Sequence, residues 1–297
     1  IGSKEGISHL ALVMVEDGDT AIVPTPAFPP HLHSITIAGG RVATLPISGE
    51  PELFDRLDEL ASALSPKAKL LLLNFPHNPT ALTVEMEFFE RAVEFARAHG
   101  ILIIQDFAYS HMTFDGYRAP SFLQVPGAKE VGVEFSSMSK SFNMAGWRVG
   151  FCVGNSGVVA GLARIKGYYD YGMFMPVQIA SIIALRDCMD EVSRQAAIYQ
   201  ERRDVLCEGL SRMGWPITPP KGTMFVWAPI PEEFRQMGSV EFCLMLLEEA
   251  GVAVAPGAAF GEGGEGFVRM AIVENTQRLR QAVRQIGRVL RRRRVRA

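Results

Sequence analysis

In "SSMSKSFNMAGWRVG" (residues 136–150), Lys140 stands among serines just after an apolar run, and Arg148 follows eight residues later. A free amine is protonated at neutral pH, but burial beside other cations lowers its pKa and frees the lone pair for attack on an aldehyde. Ser137, Ser139 and Arg148 offer hydroxyls and a guanidinium suited to a phosphate. Gly2, Ser3 and Lys4 precede a helix-like stretch, whose free amides and dipole favour the same anion. A lone lysine is as readily a surface group that snorkels to water, so its company carries the reading.

An aldehyde that also bears a phosphate is pyridoxal 5′-phosphate (PLP). With it in mind, other strand-end residues acquire work. Asp106 closes an apolar run, where a carboxylate is costly without a cation, and a pyridinium nitrogen would be that cation. Tyr109 and Asn78, the latter in "NFPHNPT", can reach a phenolic oxygen, and Phe28 in "PTPAFPP" can stack on a ring. Singly, Asn78 reads as a turn residue and Phe28 as a core aromatic; jointly they read as a pocket. Arg269, inside the apolar run "GFVRMAIV", needs a buried anion.

These residues must be carried by a scaffold. Short apolar runs at 20–26, 41–47, 69–76, 100–107, 130–137 and 148–154 alternate with amphipathic stretches, several of the runs apolar throughout. That pattern predicts strands buried on both faces, hence a three-layer α/β/α domain with a mostly parallel sheet. Met86, Phe89, Val93 and Ala96 recur at helical spacing ahead of Gly100. From about residue 176 the texture changes to a long helix or helix pair, then strand-like stretches at 223–230 and 266–273 and a closing helix. We expect a large domain over 1–195 and a smaller α+β domain over 196–297. In open parallel sheets ligands bind beyond the carboxyl ends of the strands, where Asn74–Thr80, Asp106–Tyr109 and Ser136–Lys140 all fall.

The 297 residues are 48 % hydrophobic and 21 % charged, and 30 basic against 32 acidic residues leave a formal charge of −2. Nothing there calls for a nucleic-acid or membrane partner. Four scattered cysteines without a CxxC pair read as buried thiols of a reducing compartment, so a cytoplasmic location is expected. The arginines of "RVLRRRRVRA" at the C-terminus read as the dipole-complementing end of a final helix.

Together, "SMSKSFNMAGWRVG", "NFPHNPT", "DFAY" and "GFVRMAIVEN" make the chain resemble the fold-type I, PLP-dependent class I/II aminotransferases over essentially its whole length. Other stretches, "YYDYGMFMPVQIA" and "VRMAIVENTQRLRQAVR" among them, look closest to bacterial glutamate–pyruvate (alanine) aminotransferases, with LL-diaminopimelate aminotransferases near neighbours. The resemblance implies a ping-pong transaminase acting on an L-amino acid and a 2-oxo acid, alanine with pyruvate and glutamate with 2-oxoglutarate. It implies Lys140 as Schiff-base lysine and proton shuttle, and Asp106 on the pyridinium nitrogen. Tyr109 and Asn78 would meet the phenolic oxygen, Phe28 the ring, and Ser3, Lys4, Ser137 and Arg148 the phosphate. Arg269 would bind the substrate carboxylate, and a homodimer is implied. Two departures stand out. Ala81 occupies a position usually held by glycine, and the segment that precedes the "GSKEGI" loop in the family does not precede it here, so Ile1 is expected to lie partway along a longer protein.

Other readings compete. A β-lyase or decarboxylase would keep Lys140 and Asp106, and a non-catalytic PLP-binding effector domain of a transcription regulator would keep the pocket. "GEGGEG" (261–266) matches GxGxxG but precedes a strand pattern, contrary to a dinucleotide fingerprint. His31 and His33 lack a third ligand and are expected at the surface or an interface, so no metal is expected.

Overall fold

Four consecutive leucines, Leu70–Leu73, explain the central layer. Leu71 and Leu73 enter one core with Phe54, Phe88 and Phe89, while Leu70 and Leu72 enter another with Ile7, Leu10 and Val158. A strand with both faces buried has no polar face to show, hence the unbroken apolar runs. The computed structural model describes residues 1–295. In chain order its helices are α1 Ser3–Met14, α2 Pro29–Ile37, α3 Leu53–Ala63, α4 Met86–His99, α5 Ala128–Val131, α6 Met138–Ser141, α7 Ser156–Tyr169, α8 Met175–Asp187, α9 Met189–Arg212, α10 Gly238–Ala250 and α11 Thr276–Arg294. The strands are β1 Thr20–Thr25, β2 Arg41–Pro46, β3 Ala68–Leu73, β4 Leu102–Asp106, β5 Gly132–Ser137, β6 Gly150–Gly154, β7 Phe225–Pro229, β8 Ala255–Pro256 and β9 Phe267–Ala271.

The large sheet has six strands in the order β2-β1-β3-β4-β5-β6, parallel except for the antiparallel β5–β6 pair. Helices α3 and α4 cover one face and α1, α2 and α7 the other, the expected three-layer α/β arrangement. A second sheet, β7-β9-β8, is antiparallel and packs with α9, α10 and α11 around a core that includes Trp215, Phe242 and Leu290. Tyr109, Met112 and Phe114, which follow β4, enter that second core. Arg203 on α9 adds a polar tie. It is 3 % exposed, and its Nη2 lies 3.0 Å from Asp115 while its Nη1 lies 2.9 Å from the Pro220 carbonyl.

Several boundaries differ from the sequence pattern for local reasons. The long helical stretch breaks at Cys188 into α8 and α9. Glu130 and Val131 fall in the one-turn α5 ahead of β5. The two-residue β8 is too short to leave a periodic signal. The C-terminal arginines close α11, where Arg292 and Arg293 pair with Glu249 and Arg294 with Glu233. The last two residues of that run lie outside the described residues. No described helix is long and apolar enough to cross a membrane.

Glu134 is an unusual inhabitant of β5, 6 % exposed and bonded by the Ser121 hydroxyl and the Phe122 amide at 2.9 Å. Burial pushes its carboxyl from 4.5 up to about 7 against the pull of those bonds. A carboxyl raised in the folded state stabilises fully below its unfolded pKa and loses that stabilisation as pH rises through 7. Glu134→Gln keeps an acceptor for Phe122 without the charge. Between pH 5 and 8 the variant should lose roughly 2 kcal/mol less stability than the native chain, read from urea unfolding at each pH.

Candidate active site

At the carboxyl edge of the large sheet, β1, β3, β4 and β5 deliver their following loops to one cavity of about 260 Å³. Its walls include Ser3, Lys4, Phe28, Asn78, Asp106, Tyr109, Ser137, Lys140, Arg148 and Arg269. All the residues singled out from the sequence therefore meet in one place. The strand order reverses between β2-β1 and β3, so the loops after β1 and β3 diverge there and leave room for a ligand.

Lys140 sits on the one-turn α6, which starts where β5 ends. The Ser137 hydroxyl accepts the Ser139 amide at 3.2 Å and caps that turn. Burial first, then Arg148 and Arg269, hold the Lys140 amine below the usual lysine range. Arg148 takes a left-handed conformation, φ 59° and ψ 46°, uncommon for a residue with a side chain. That turn aims its guanidinium at the start of α1. Nη1 donates to the Ala145 carbonyl at 2.8 Å and the Ser139 hydroxyl at 3.4 Å, and Nη2 to the Ile1 carbonyl at 3.2 Å. A Cβ on Gly2 would stand 2.6 Å from Arg148 Nη2, and one on Gly150 2.7 Å from the Ser3 amide nitrogen. Only glycines let the guanidinium and the free N-terminus of α1 come together into an anion cradle.

Asp106 ends β4 and is 5 % exposed. Its Oδ2 lies 3.0 Å from His31 Nε2, its Oδ1 accepts the Ala108 amide at 3.3 Å, and its carbonyl accepts Asn74 Nδ2 at 2.6 Å. The expectation of a surface or interface position for His31 is thus wrong: it is 3 % exposed. Its α2 segment, "PPHLHSITI", has no apolar period to betray a helix, yet that helix turns His31 inward one turn after Phe28. The two rings meet edge to face, centroids 5.4 Å apart. Behind them, His77 is held neutral, its pKa pulled down to about 3 by burial and by His31.

Asn74 also organises the next loop, its Oδ1 accepting the Asn78 amide at 2.9 Å. Asn78 Oδ1 in turn accepts Arg269 Nη1 at 2.7 Å across the gap between the two sheets. Ala81, which closes this turn, has φ 58°, a conformation glycine adopts freely and alanine at a cost of about 1 kcal/mol. Tyr109 packs edge to face on Phe225, centroids 5.9 Å apart, and burial with Asp106 nearby drives its hydroxyl pKa well upward, so it is a donor. Arg269 has Phe225 and Phe260 over its guanidinium carbon at 4.1 and 4.5 Å, and burial lowers its pKa. Its Nε has no hydrogen-bond partner.

The cavity therefore gathers Lys4, Lys140, Arg148 and Arg269 against one carboxylate, Asp106. Lys4 and Arg148 border the α1 cradle and Arg269 the Asn78 loop, and the same cavity holds an amine of lowered pKa. This fits a flat ligand bearing a phosphate, a carbonyl carbon and a basic ring nitrogen, with a second anion docking at Arg269. PLP meets that description, and the unpartnered Arg269 Nε and the glycine-lined cradle are what a pocket built for two anions requires.

Comparison with known proteins agrees. A family profile described as "Aminotransferase class I and II" matches residues 1–286. The glutamate-pyruvate aminotransferase AlaC of Escherichia coli is 48 % identical over 289 residues, 96 % of this chain and 69 % of that protein. An LL-diaminopimelate aminotransferase of Moorella thermoacetica is 43 % identical, over 98 % of this chain and 74 % of its own length. Among solved structures, apo-BacF from Bacillus subtilis superposes with a TM-score of 0.91 at 37 % identity, covering 97 % of this chain and 76 % of that one.

Asn74 bonds both neighbouring loops, so Asn74→Ala should leave the Asp106 carbonyl and the Asn78 amide unpaired. We expect a loss of about 2 kcal/mol in denaturant stability together with weakened PLP binding, read by calorimetry.

Proposed function

The chain belongs to the class I and II aminotransferases, and from that premise we propose how its own residues carry out amino-group transfer and on which substrates. The enzyme is a PLP-dependent transaminase. When bound, PLP supplies a carbonyl carbon for the incoming amine and a protonated ring that draws electrons from the substrate α-carbon. Ser3, Lys4, Ser137 and Arg148 would hold the phosphate, with the free amides of α1 completing the cradle. The Asp106 carboxylate, oriented by His31, would pair with the ring nitrogen and favour its protonated form. Tyr109 and Asn78 would donate to the ring oxygen, and Phe28 would cover a ring face.

Lys140 Nζ is the group that would hold the cofactor's carbonyl carbon, and as a free amine it would take up and return the substrate α-proton. Burial first, then the Arg148 and Arg269 charges, lowers the Lys140 pKa and favours the free amine that can accept a proton. Arg269 takes the substrate α-carboxylate in a two-point fork, its plane held by Asn78 and the aromatic rings. Over the whole reaction an amino acid and a 2-oxo acid exchange their amino and oxo groups, and the same residues would serve both directions. The single observation that carries this reading is that Lys140 shares one cavity with the guanidinium groups of Arg148 and Arg269.

Alanine with pyruvate and glutamate with 2-oxoglutarate are the proposed pairs, supported by the similarity to AlaC. Acceptance of LL-diaminopimelate is the second reading, supported by the several relatives carrying that name. We also infer a cytoplasmic homodimer. Tyr168, Tyr169, Tyr171, Phe174, Ile179 and Ile182, on and between α7 and α8, are all exposed, an apolar face that a second copy would cover. The division into a large domain over 1–195 and a small one over 196–297 is retained as part of this reading.

The test is the visible spectrum of the chain with PLP, before and after L-alanine and then 2-oxoglutarate. The cofactor band should shift with alanine and return with the oxo acid. A band that no amino acid changes would overturn catalysis by this chain. Lys140→Ala should lose borohydride-fixed cofactor and fall in turnover by roughly a hundredfold or more. Arg269→Ala should raise KM for every α-carboxylate substrate about ten- to a hundredfold while PLP still binds.

A further inference from the structure

The glycine-rich segment between β8 and β9, set aside as a dinucleotide fingerprint, builds the wall behind Arg269. It begins as the turn Gly257–Phe260 and ends at Gly266, from which β9 carries Arg269 into the site. A Cβ on Gly257 would lie 1.9 Å from the Gly264 carbonyl oxygen, and one on Gly264 2.1 Å from the Gly257 oxygen. The two ends of the loop are thus pressed backbone to backbone, a contact no side chain permits. Glu265 secures the far end by accepting the Ser239 amide at 2.6 Å and hydroxyl at 3.0 Å.

What this braced loop presents is Phe260, 5 % exposed. Phe260 does not line the cavity; it lies behind Arg269, with the guanidinium carbon 4.5 Å from its ring centre. Trp227 supports the ring edge to face, centroids 5.9 Å apart. On the other flank, the Phe260 carbonyl accepts the Ala27 amide at 2.8 Å. Ala27 immediately precedes Phe28 and the turn of α2 that carries His31. Phe260 therefore touches the small sheet through its ring and the large domain through its backbone.

Among the described residues no carboxylate pairs with Arg269. Its one protein hydrogen bond goes to the neutral Asn78 amide, and its Nε has none. A half-buried cation needs compensation, and here the negative faces of the Phe225 and Phe260 rings provide it. Rings, unlike a carboxylate, need not be displaced before a substrate anion binds. They steady the guanidinium plane while leaving its hydrogen-bonding edges free.

We propose that Phe260 is a positioning residue for transamination, holding the Arg269 guanidinium plane for the α-carboxylate and tying it to the Ala27–Phe28 segment that covers the cofactor ring. This rests on the reading of Arg269 as the carboxylate site. It assigns substrate affinity to a residue outside the cavity.

The test compares holoenzymes carrying Phe260→Leu, Phe260→Tyr and Arg269→Ala. The main readout is the dissociation constant for 2-methylalanine, which has a carboxylate but no α-proton to lose. The Kd and limiting rate of the L-alanine half-reaction, the PLP affinity and the melting midpoint accompany it. Phe260→Leu should weaken 2-methylalanine and L-alanine binding about tenfold, with the limiting rate within about threefold and PLP affinity unchanged. Phe260→Tyr, which keeps the ring face, should bind within about twofold of the native enzyme. Unchanged 2-methylalanine affinity in Phe260→Leu overturns the proposal. So does a parallel loss of rate, PLP affinity and melting midpoint, which marks a general structural role. If Phe260→Leu does not fold, Phe260→pentafluorophenylalanine reverses the ring's charge distribution at the same shape. It should show the same loss of affinity, and native affinity overturns the proposal. If Arg269→Ala itself binds 2-methylalanine normally, the carboxylate assignment fails and the proposal with it. If Arg269→Ala weakens binding and Phe260→Leu does not, only the proposal falls.

Discussion

The site is organised by one electrostatic imbalance: Lys4, Lys140, Arg148 and Arg269 border a cavity whose one acidic wall residue is Asp106. Bringing cations together in a partly buried space is costly, and with one carboxylate set against four cations much of that cost falls to the ligand. The scaffold bears this load by giving each charge a separate support. The Arg148 guanidinium is bonded to carbonyls and a hydroxyl, Arg269 is held by Asn78 and aromatic faces, and Lys140 projects from a turn capped by Ser137. None of these supports is an anion, so the positive potential stays available inside the cavity. The same potential disfavours the ammonium form of Lys140, so the residues that attract the ligand also prepare the amine.

Asp106 occupies the opposite role. A lone carboxylate at the end of a buried strand is tolerable because His31 and the Ala108 amide bond its oxygens and Asn74 fixes its backbone. His77 is kept neutral behind them, so this wall contains no additional fixed cation to neutralise the carboxylate. The charge on Asp106 is thereby reserved for whatever base enters the cavity. Anionic and cationic functions are mounted on different elements: Asp106 on the end of β4, Lys140 just past β5, Arg269 within β9, Lys4 on α1 and Arg148 in the turn before β6.

Much of this was legible in the sequence because parallel sheets separate composition by depth. Strand interiors such as Leu70–Leu73 admit only apolar residues, so Asp106, Asn78 and Lys140, at or just past strand ends, are conspicuous. Arg269 was conspicuous for the same reason within β9. His31 was not, because α2 begins with two prolines and lacks an apolar stripe, and its burial depends on the packing of that helix against the sheet. Asn74 stood at the expected edge, but its double bonding to the Asp106 carbonyl and the Asn78 amide is a property of two loops in space. Phe225 and Phe260 look like ordinary core aromatics, and their relation to Arg269 appears only when the second sheet is assembled.

The glycine pattern at 261–266 shows why a motif needs its structural context. In a dinucleotide site such glycines let a helix N-terminus approach a phosphate. Here the segment leads into β9, and the glycines let two stretches of backbone approach each other. The physical property is the same, the absence of a Cβ where a close approach is required, while the partner differs. What the close approach achieves is rigidity at the junction of two sheets. The Asn78–Arg269 bond and the Ala27–Phe260 bond both cross that junction, one inside the cavity and one behind it. A substrate carboxylate seated on Arg269 would pull on both connections at once. Its position relative to the Phe28 ring is then set by a short path of one ring contact, one hydrogen bond and one peptide link, which holds reacting atoms in register.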